Sequence, residues 1–379
     1  MMTDLSKLLA DLVAIESVNP VFGGPGEAEL AAFVEGWLRK TGADVEVQEV
    51  HPGRNNVIAV VASGSGPALL LDSHLDTVSA DTWADGDPFV PVFRDGRLFG
   101  RGSCDTKASM AVFLYLVSQY ASTPARLSRP LVFAATIDEE DRQTGAYRLL
   151  DHDFGVEIKA AVAGEPTFCR LIHAHKGLIR FEIEARGRAV HASNPELGDN
   201  AIARMGRVLD RLASLVEDFG CRTGHARLGK PTLNPGTIRG GTAVNVVPDR
   251  CLLQVDRRLI PGETADGAEN EILARLRGEP DLNLTRLYDR PALDTPVDSP
   301  FVQEFAKAIL AGGRDEGPEV AGYLTNAVAF AERGIPSIVF GPGDMSLAHT
   351  DHEYVDLAEL EAAERILRHF LEGQQPIDD

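Results

Sequence analysis

The chain has 379 residues, 44% of them apolar and 25% charged, and its 37 Lys and Arg face 57 Asp and Glu for a formal charge of −20. That balance belongs to a folded protein large enough for two domains, and excludes a disordered chain. The acidic surplus excludes nucleic acid and anionic membrane surfaces as partners, since both are bound through clustered Lys and Arg.

No apolar run approaches the roughly 20 residues that a membrane span needs, and residues 1–13 lack a basic segment followed by an apolar stretch. Cys104, Cys169, Cys221 and Cys251 are scattered with no CxxC pair, so neither a zinc knuckle nor a disulfide framework is expected. The expectation is a reduced, cytoplasmic protein.

Residues 5–18 repeat apolar side chains at helical spacing, and residues 27–41 do so again before Gly42. Short apolar or β-branched runs follow at 45–50, 57–61 and 68–71. Residues 105–120 predict a helix, with Asp105 and Thr106 at its cap and a long apolar stripe behind them. Solid apolar strands at 131–137 and 160–163, alternating with helices, predict a mostly parallel sheet buried on both faces.

Beyond His175-Lys176-Gly177 the texture changes. Residues 179–186 (IRFEIEAR) alternate apolar and charged side chains, as a strand with one wet face does, and 252–258 repeat the pattern. Helices are predicted over 200–218 and 263–277. After Pro291 the first texture returns, with a helix from Pro300, a buried strand at 337–340 and a last helix over 357–371. The fold expected is α/β: a mostly parallel sheet flanked by helices, from residues 1–177 and 291–379, interrupted by an α+β sandwich at 178–290.

Five clusters of acids or histidines each follow an apolar strand or a glycine turn, where open α/β sheets build their sites. In LLLDSHLDT, a continuing strand turns His74 and Asp76 to the same side, so that a carboxylate can hold the ring. GRLFGRGSCDTK presents Asp105 at a helix mouth. VFAATIDEED ends a buried strand on Asp138, Glu139 and Glu140, which repel one another unless cations or protons are present. AAVAGEPT ends on Glu165, and IVFGPGDMSLAHTDHEYV carries His349 beyond a Gly-Pro-Gly turn. Alone, the first is more often a solvated strand end and the second an N-cap, while the third is a solvated acidic loop as often as a site. Together, two histidines and three carboxylates are a mixed N/O donor set suited to zinc, cobalt or manganese. Five ligands fit two ions that share one carboxylate.

HLDT, GRGSCDTK, DEE, GEPT, GRAVHAS, NVVPD and GPG…AH…EYV, in this order between about residues 69 and 355, form a jointly specific set. The chain resembles the dinuclear zinc metallopeptidase family of acetylornithine deacetylase, succinyl-diaminopimelate desuccinylase, aminoacylase and glutamate carboxypeptidase. The resemblance implies that Asp105 bridges two divalent ions, zinc first and cobalt or manganese as alternatives. His74 and Glu165 complete one site, and Glu140 and His349 the other. It further implies that Asp76 orients His74, that Glu139 is the general base, and that His191 donates to the oxyanion from the partner subunit of a homodimer formed through the inserted lid domain. Asn245, Arg258 and Thr325 are implied to grip substrate.

The activity implied is hydrolysis of the amide of a small N-acyl amino acid by a metal-activated water. A dipeptidase or carboxypeptidase is the alternative within the chemistry, and a silent metal-stabilised binding protein the alternative outside it. His173 and His175 lack a companion carboxylate or cysteine and are read as linker residues. Asn326, where many relatives carry Asp, is a departure bearing on substrate contacts, and His352 is expected to be exposed.

Overall fold

Strands whose every side chain is apolar or buried need cover on both faces, and Ala68–His74 and Leu131–Thr136 are buried along their whole length. In the computed structural model of the protein, which describes residues 3–63 and 66–373, these two lie parallel, with Leu69 opposite Leu131 and His74 opposite Thr136. Ile158–Ala163 pairs parallel along the other side of Ala68–His74, and Ser337–Val339 pairs parallel with Ile158–Ala163. Asp44–His51 and Arg54–Val61 extend one edge as an antiparallel pair, and Val339 meets Ile172 antiparallel at the other. The sheet is therefore mixed, and parallel through its middle.

One face packs Leu69, Leu71, Phe133 and Val162 against the helices Asp4–Val13, Ala28–Arg39, Lys107–Ser122, Pro300–Ala311 and Leu357–Glu372. The other packs Leu70, Val132 and Ala134 against the short helices Thr144–Leu149 and Ala327–Glu332. All four parallel strands run toward the same edge, so His74, the 138–140 acids, Glu165 and the Gly341 turn follow their carboxyl ends. No helix among the described residues is long and apolar enough to cross a membrane.

Three expectations shift. The first helix stops at Val13 because Ser17, Val18 and Asn19 extend to bond the backbone of Thr77. The strand of LLLDSHLDT ends at His74 and does not reach Asp76. The helix expected from Asp105 begins at Lys107, and neither Asp105 nor Thr106 caps it: Thr106 Oγ1 donates to the Gly164 carbonyl at 2.6 Å.

The chain divides into two compact units, one holding the chain up to His173 with Thr295–Glu319 and the stretch from Thr325, the other Ala174–Asp294 and Val320–Leu324. The second unit carries a four-stranded antiparallel sheet in the order Thr232–Gly240, Arg250–Leu259, Gly177–Arg186, Leu282–Arg290. Ile179, Phe181, Ile183 and Ala185 are fully buried, and they pack under the helices Ala201–Cys221 and Ala265–Leu276. Asn200 caps the first of these helices by accepting from the Ala203 amide. Thr232–Gly240 carries no legible alternation because all its residues but Leu233 are exposed, and Pro235 suits it to an edge.

Candidate metal centre

At the end of its strand the His74 ring is 1% exposed. Its Nδ1 sits 2.9 Å from the backbone carbonyl of Asp76. A carbonyl only accepts, so Nδ1 carries a proton toward it and the ring turns Nε2 to the site. The Asp76 carboxylate is farther from the ring, at 3.6 Å. It accepts instead from the backbone amides of Glu139 and Glu140, both at 3.0 Å, and from Asn19 Nδ2 at 2.8 Å.

Asp105 faces two histidines. Its Oδ1 lies 3.1 Å from His74 Nε2 and its Oδ2 lies 3.1 Å from His349 Nε2. Glu165 Oε1 approaches His74 Nε2 at 3.8 Å, and Glu140 Oε2 approaches His349 Nε2 at 3.2 Å. Two triads result, His74, Asp105 and Glu165, and Asp105, Glu140 and His349, each with its ligand atoms within 4.8 Å of one another. The Gly-Pro-Gly turn closes on this cluster: a Cβ at Gly341 would stand 2.6 Å from the Glu165 carbonyl oxygen, so only glycine fits. Asp138 and His349 both adopt left-handed backbone, at φ 68° and 62°, a conformation that costs non-glycine residues energy and collects at functional sites.

The three consecutive acids divide their work. Asp138 pairs with Arg54 at 3.1 Å and accepts from Thr144 Oγ1 and Asn19 Nδ2, while Arg54 also grips the buried Glu27 through two nitrogens. That leaves Glu139 and Glu140. Burial pushes Glu139 up to about 8, with the charges of Glu140, Asp76 and Asp105 adding to the rise and His74 opposing it. Burial and the Asp105 charge bring Glu140 to about 6. Burial likewise raises Glu165.

Hydrogen bonds to Asp105 and Glu140 lift His349 to about 11. Burial disfavours a charged His74, but Asp105 and Glu165 outweigh it and raise its pKa. Asp105 is desolvated too, yet its two histidine partners hold it below the usual carboxylate range. Four carboxylates around two imidazoles thus share protons to avoid mutual repulsion. Divalent cations would relieve the same repulsion, and the mixed N/O donors in two triads with a shared carboxylate fit a pair of them.

The remaining expected residues stand as follows. Thr325 is fully buried, its hydroxyl accepting from the Ala327 amide at 3.3 Å. Asn326 is buried as well and donates to Asp72 Oδ2 and Thr136 Oγ1, so its amide serves an internal network. His191 and Asn245 are exposed neighbours in the second unit, joined by the bridge of His191 to Val246 and by the Ala192 amide on the Asn245 carbonyl. Arg258, in the same unit, donates Nε to Asp256 at 2.8 Å. His173 and His175 are buried in the strand Ile172–His175, which corrects their reading as linker residues; the ring Nδ1 atoms donate to the carbonyls of Thr295 and Lys176. His352 is exposed and paired with Asp351 at 2.5 Å. Asn19, Glu27 and Arg54 support the cluster without any sequence signal beyond their residue type, and Arg101 and Glu353 do so from within GRGSCDTK and EYV, which assign them no role.

With this geometry in place, likeness to known proteins is informative. Residues 70–373 match the model of peptidase family M20/M25/M40. An acetylornithine deacetylase of Erwinia tasmaniensis is 34% identical over 365 residues, covering 93% of each chain, and one of Myxococcus xanthus is 35% identical over 84% of this chain and 85% of its own. An M20 family metallo-carboxypeptidase of Sulfolobus solfataricus superimposes with a TM-score of 0.81 over 98% of this chain and 99% of its own, at 16% identity. The chain belongs to peptidase family M20/M25/M40.

Proposed function

We propose that this hydrolase cleaves the amide of a small N-acyl amino acid, in the manner of an acetylornithine deacetylase. The observation that carries the reading is Asp105, whose two oxygens face different histidines at 3.1 Å. Supporting the substrate class are deacetylase relatives that match nearly the whole chain. The donor set assigned is His74 and Glu165 on one side, Glu140 and His349 on the other, with Asp105 between.

When bound there, a pair of divalent ions, zinc foremost with cobalt or manganese as alternatives, supplies polarisation of the scissile carbonyl and acidification of a water. The side chains do the rest. Glu139, its backbone fixed by Asp76 and its Oε1 held by Gln143 Nε2 at 3.3 Å, takes a proton from the attacking water and returns it to the leaving amine. His191, whose Nδ1 is engaged by Ser193 Oγ at 2.8 Å, donates to the developing oxyanion in the site of the other subunit of the homodimer. Arg258, Asn245 and Thr325 grip the substrate's polar groups. Residues 178–290 serve as lid and as the homodimer interface, for which the exposed edge strand Thr232–Gly240 with Ile238 is the surface at hand.

The test is a kinetic screen of acetyl-, succinyl- and formyl-amino acids and of dipeptides with zinc- or cobalt-loaded protein. Turnover of acyl-amino acids above dipeptides supports the proposal. Preference for dipeptides makes the protein a peptidase, and ion binding without turnover of any amide makes it a binding protein.

A further inference from the structure

Glu353 is a carboxylate with no solvent exposure and four donors. Its Oε2 accepts from Arg101 Nη1 at 2.7 Å and the Gly102 amide at 3.0 Å; its Oε1 accepts from the amides of Cys104 and Asp105 at 2.8 and 2.9 Å. Arg101, 1% exposed, uses its second terminal nitrogen on the Thr350 carbonyl at 3.0 Å, one residue past His349. The antiparallel pairing of Tyr354 with Phe99 and of Asp356 with Arg97 brings the two segments together. Two loops far apart in sequence are therefore locked by one ion pair: the loop that carries Asp105 and the loop that carries His349.

We propose that Glu353 and Arg101 are positioning residues for the two-metal centre, Glu353 setting the main chain behind Asp105 and Arg101 tying it to the loop of His349. The inference rests on the two-ion reading of the cluster. Only a carboxylate can do this. A glutamine would turn a donating NH2 toward one pair of donors, so an isosteric change breaks the grip without opening a cavity. Lysine at 101 would keep the charge but lose the fork that reaches Glu353 and Thr350 together. Asymmetry follows from the geometry. Asp105 belongs to both triads, whereas His349 belongs to one. Disturbing Glu353 weakens both ion sites, and disturbing Arg101 weakens chiefly the site of Glu140 and His349.

The experiment is cobalt titration of metal-stripped protein, followed by visible absorption and by dialysis, with wild type, Glu353→Gln and Arg101→Lys and no substrate present. The proposal predicts at least tenfold weaker binding of the second cobalt in Arg101→Lys with the first unchanged, and at least tenfold weaker binding of both in Glu353→Gln, in keeping with the ~10–100-fold effect of groups that orient metal ligands. Variants that merely melt earlier while taking up two cobalt ions with wild-type affinity and spectrum overturn it. So does a Glu353→Gln protein that fails to fold alongside an Arg101→Lys protein that titrates as wild type. Wild-type protein that takes up no pair of ions instead overturns the two-ion reading itself.

Discussion

The Asp76 carboxylate holds the backbone amide of Glu139 at 3.0 Å, with its other oxygen on the next amide at the same distance. The residue expected to steady His74 through its side chain does so through its carbonyl, and spends its charge on the loop of the proposed base. Asp76→Asn presents a donating NH2 to one of those amides. A fall in kcat/KM of about 10–100-fold is expected, with the circular dichroism of the fold unchanged. Wild-type kinetics in this variant would show that the Glu139 loop holds itself.

Glu139 accepts a side-chain hydrogen bond from Gln143 Nε2 and belongs to neither triad. Glu139→Gln should keep its full complement of ions by elemental analysis and lose about 10²–10⁴-fold in kcat, the range for removing a general base. Loss of an ion together with activity would move Glu139 into the ligand set.

In the second unit His191 bridges Val246, and the adjoining Ala192 amide donates to the Asn245 carbonyl. His191→Ala should reduce kcat by about 10²–10³-fold, the usual effect of deleting an oxyanion donor, and leave ion content and fold untouched. Activity within twofold of wild type would retire the role given to His191.

His175, outside the proposed ligand set, offers a pH test. Burial pushes its pKa down to about 4 from an ordinary 6.5, with the bond to the Lys176 carbonyl opposing. Between those values the unfolded chain binds a proton that the native ring refuses, so stability rises with pH across the window and the gain is complete above 6.5. Wild type should therefore lose urea resistance between pH 6.5 and 4.5 more steeply than His175→Gln. Parallel profiles would mean the ring is solvated in the native state.

Much of this was legible in the sequence because strands buried on both faces announce themselves as solid apolar runs, as in ALLL and LVFAAT, and because each ends on its acid or histidine. Periodicity could not show where His74's strand would stop, nor that Asp138 would turn from its neighbours to Arg54. The edge strand Thr232–Gly240 was illegible because it buries almost nothing. Asn326 departs from a family pattern, but only the fold shows its amide bonded to Asp72 and Thr136. Glu353 was hidden for a related reason: its role is written in backbone amides of residues 102–105, which no side-chain pattern records.

The central claim is that His74, Asp105, Glu140, Glu165 and His349 hold two ions through one shared carboxylate. Zinc per chain, measured by elemental analysis after equilibrium dialysis of wild type, His74→Ala and His349→Ala, tests it most directly. The account predicts two ions in wild type and one in each variant. A single ion in all three proteins, or none, contradicts it.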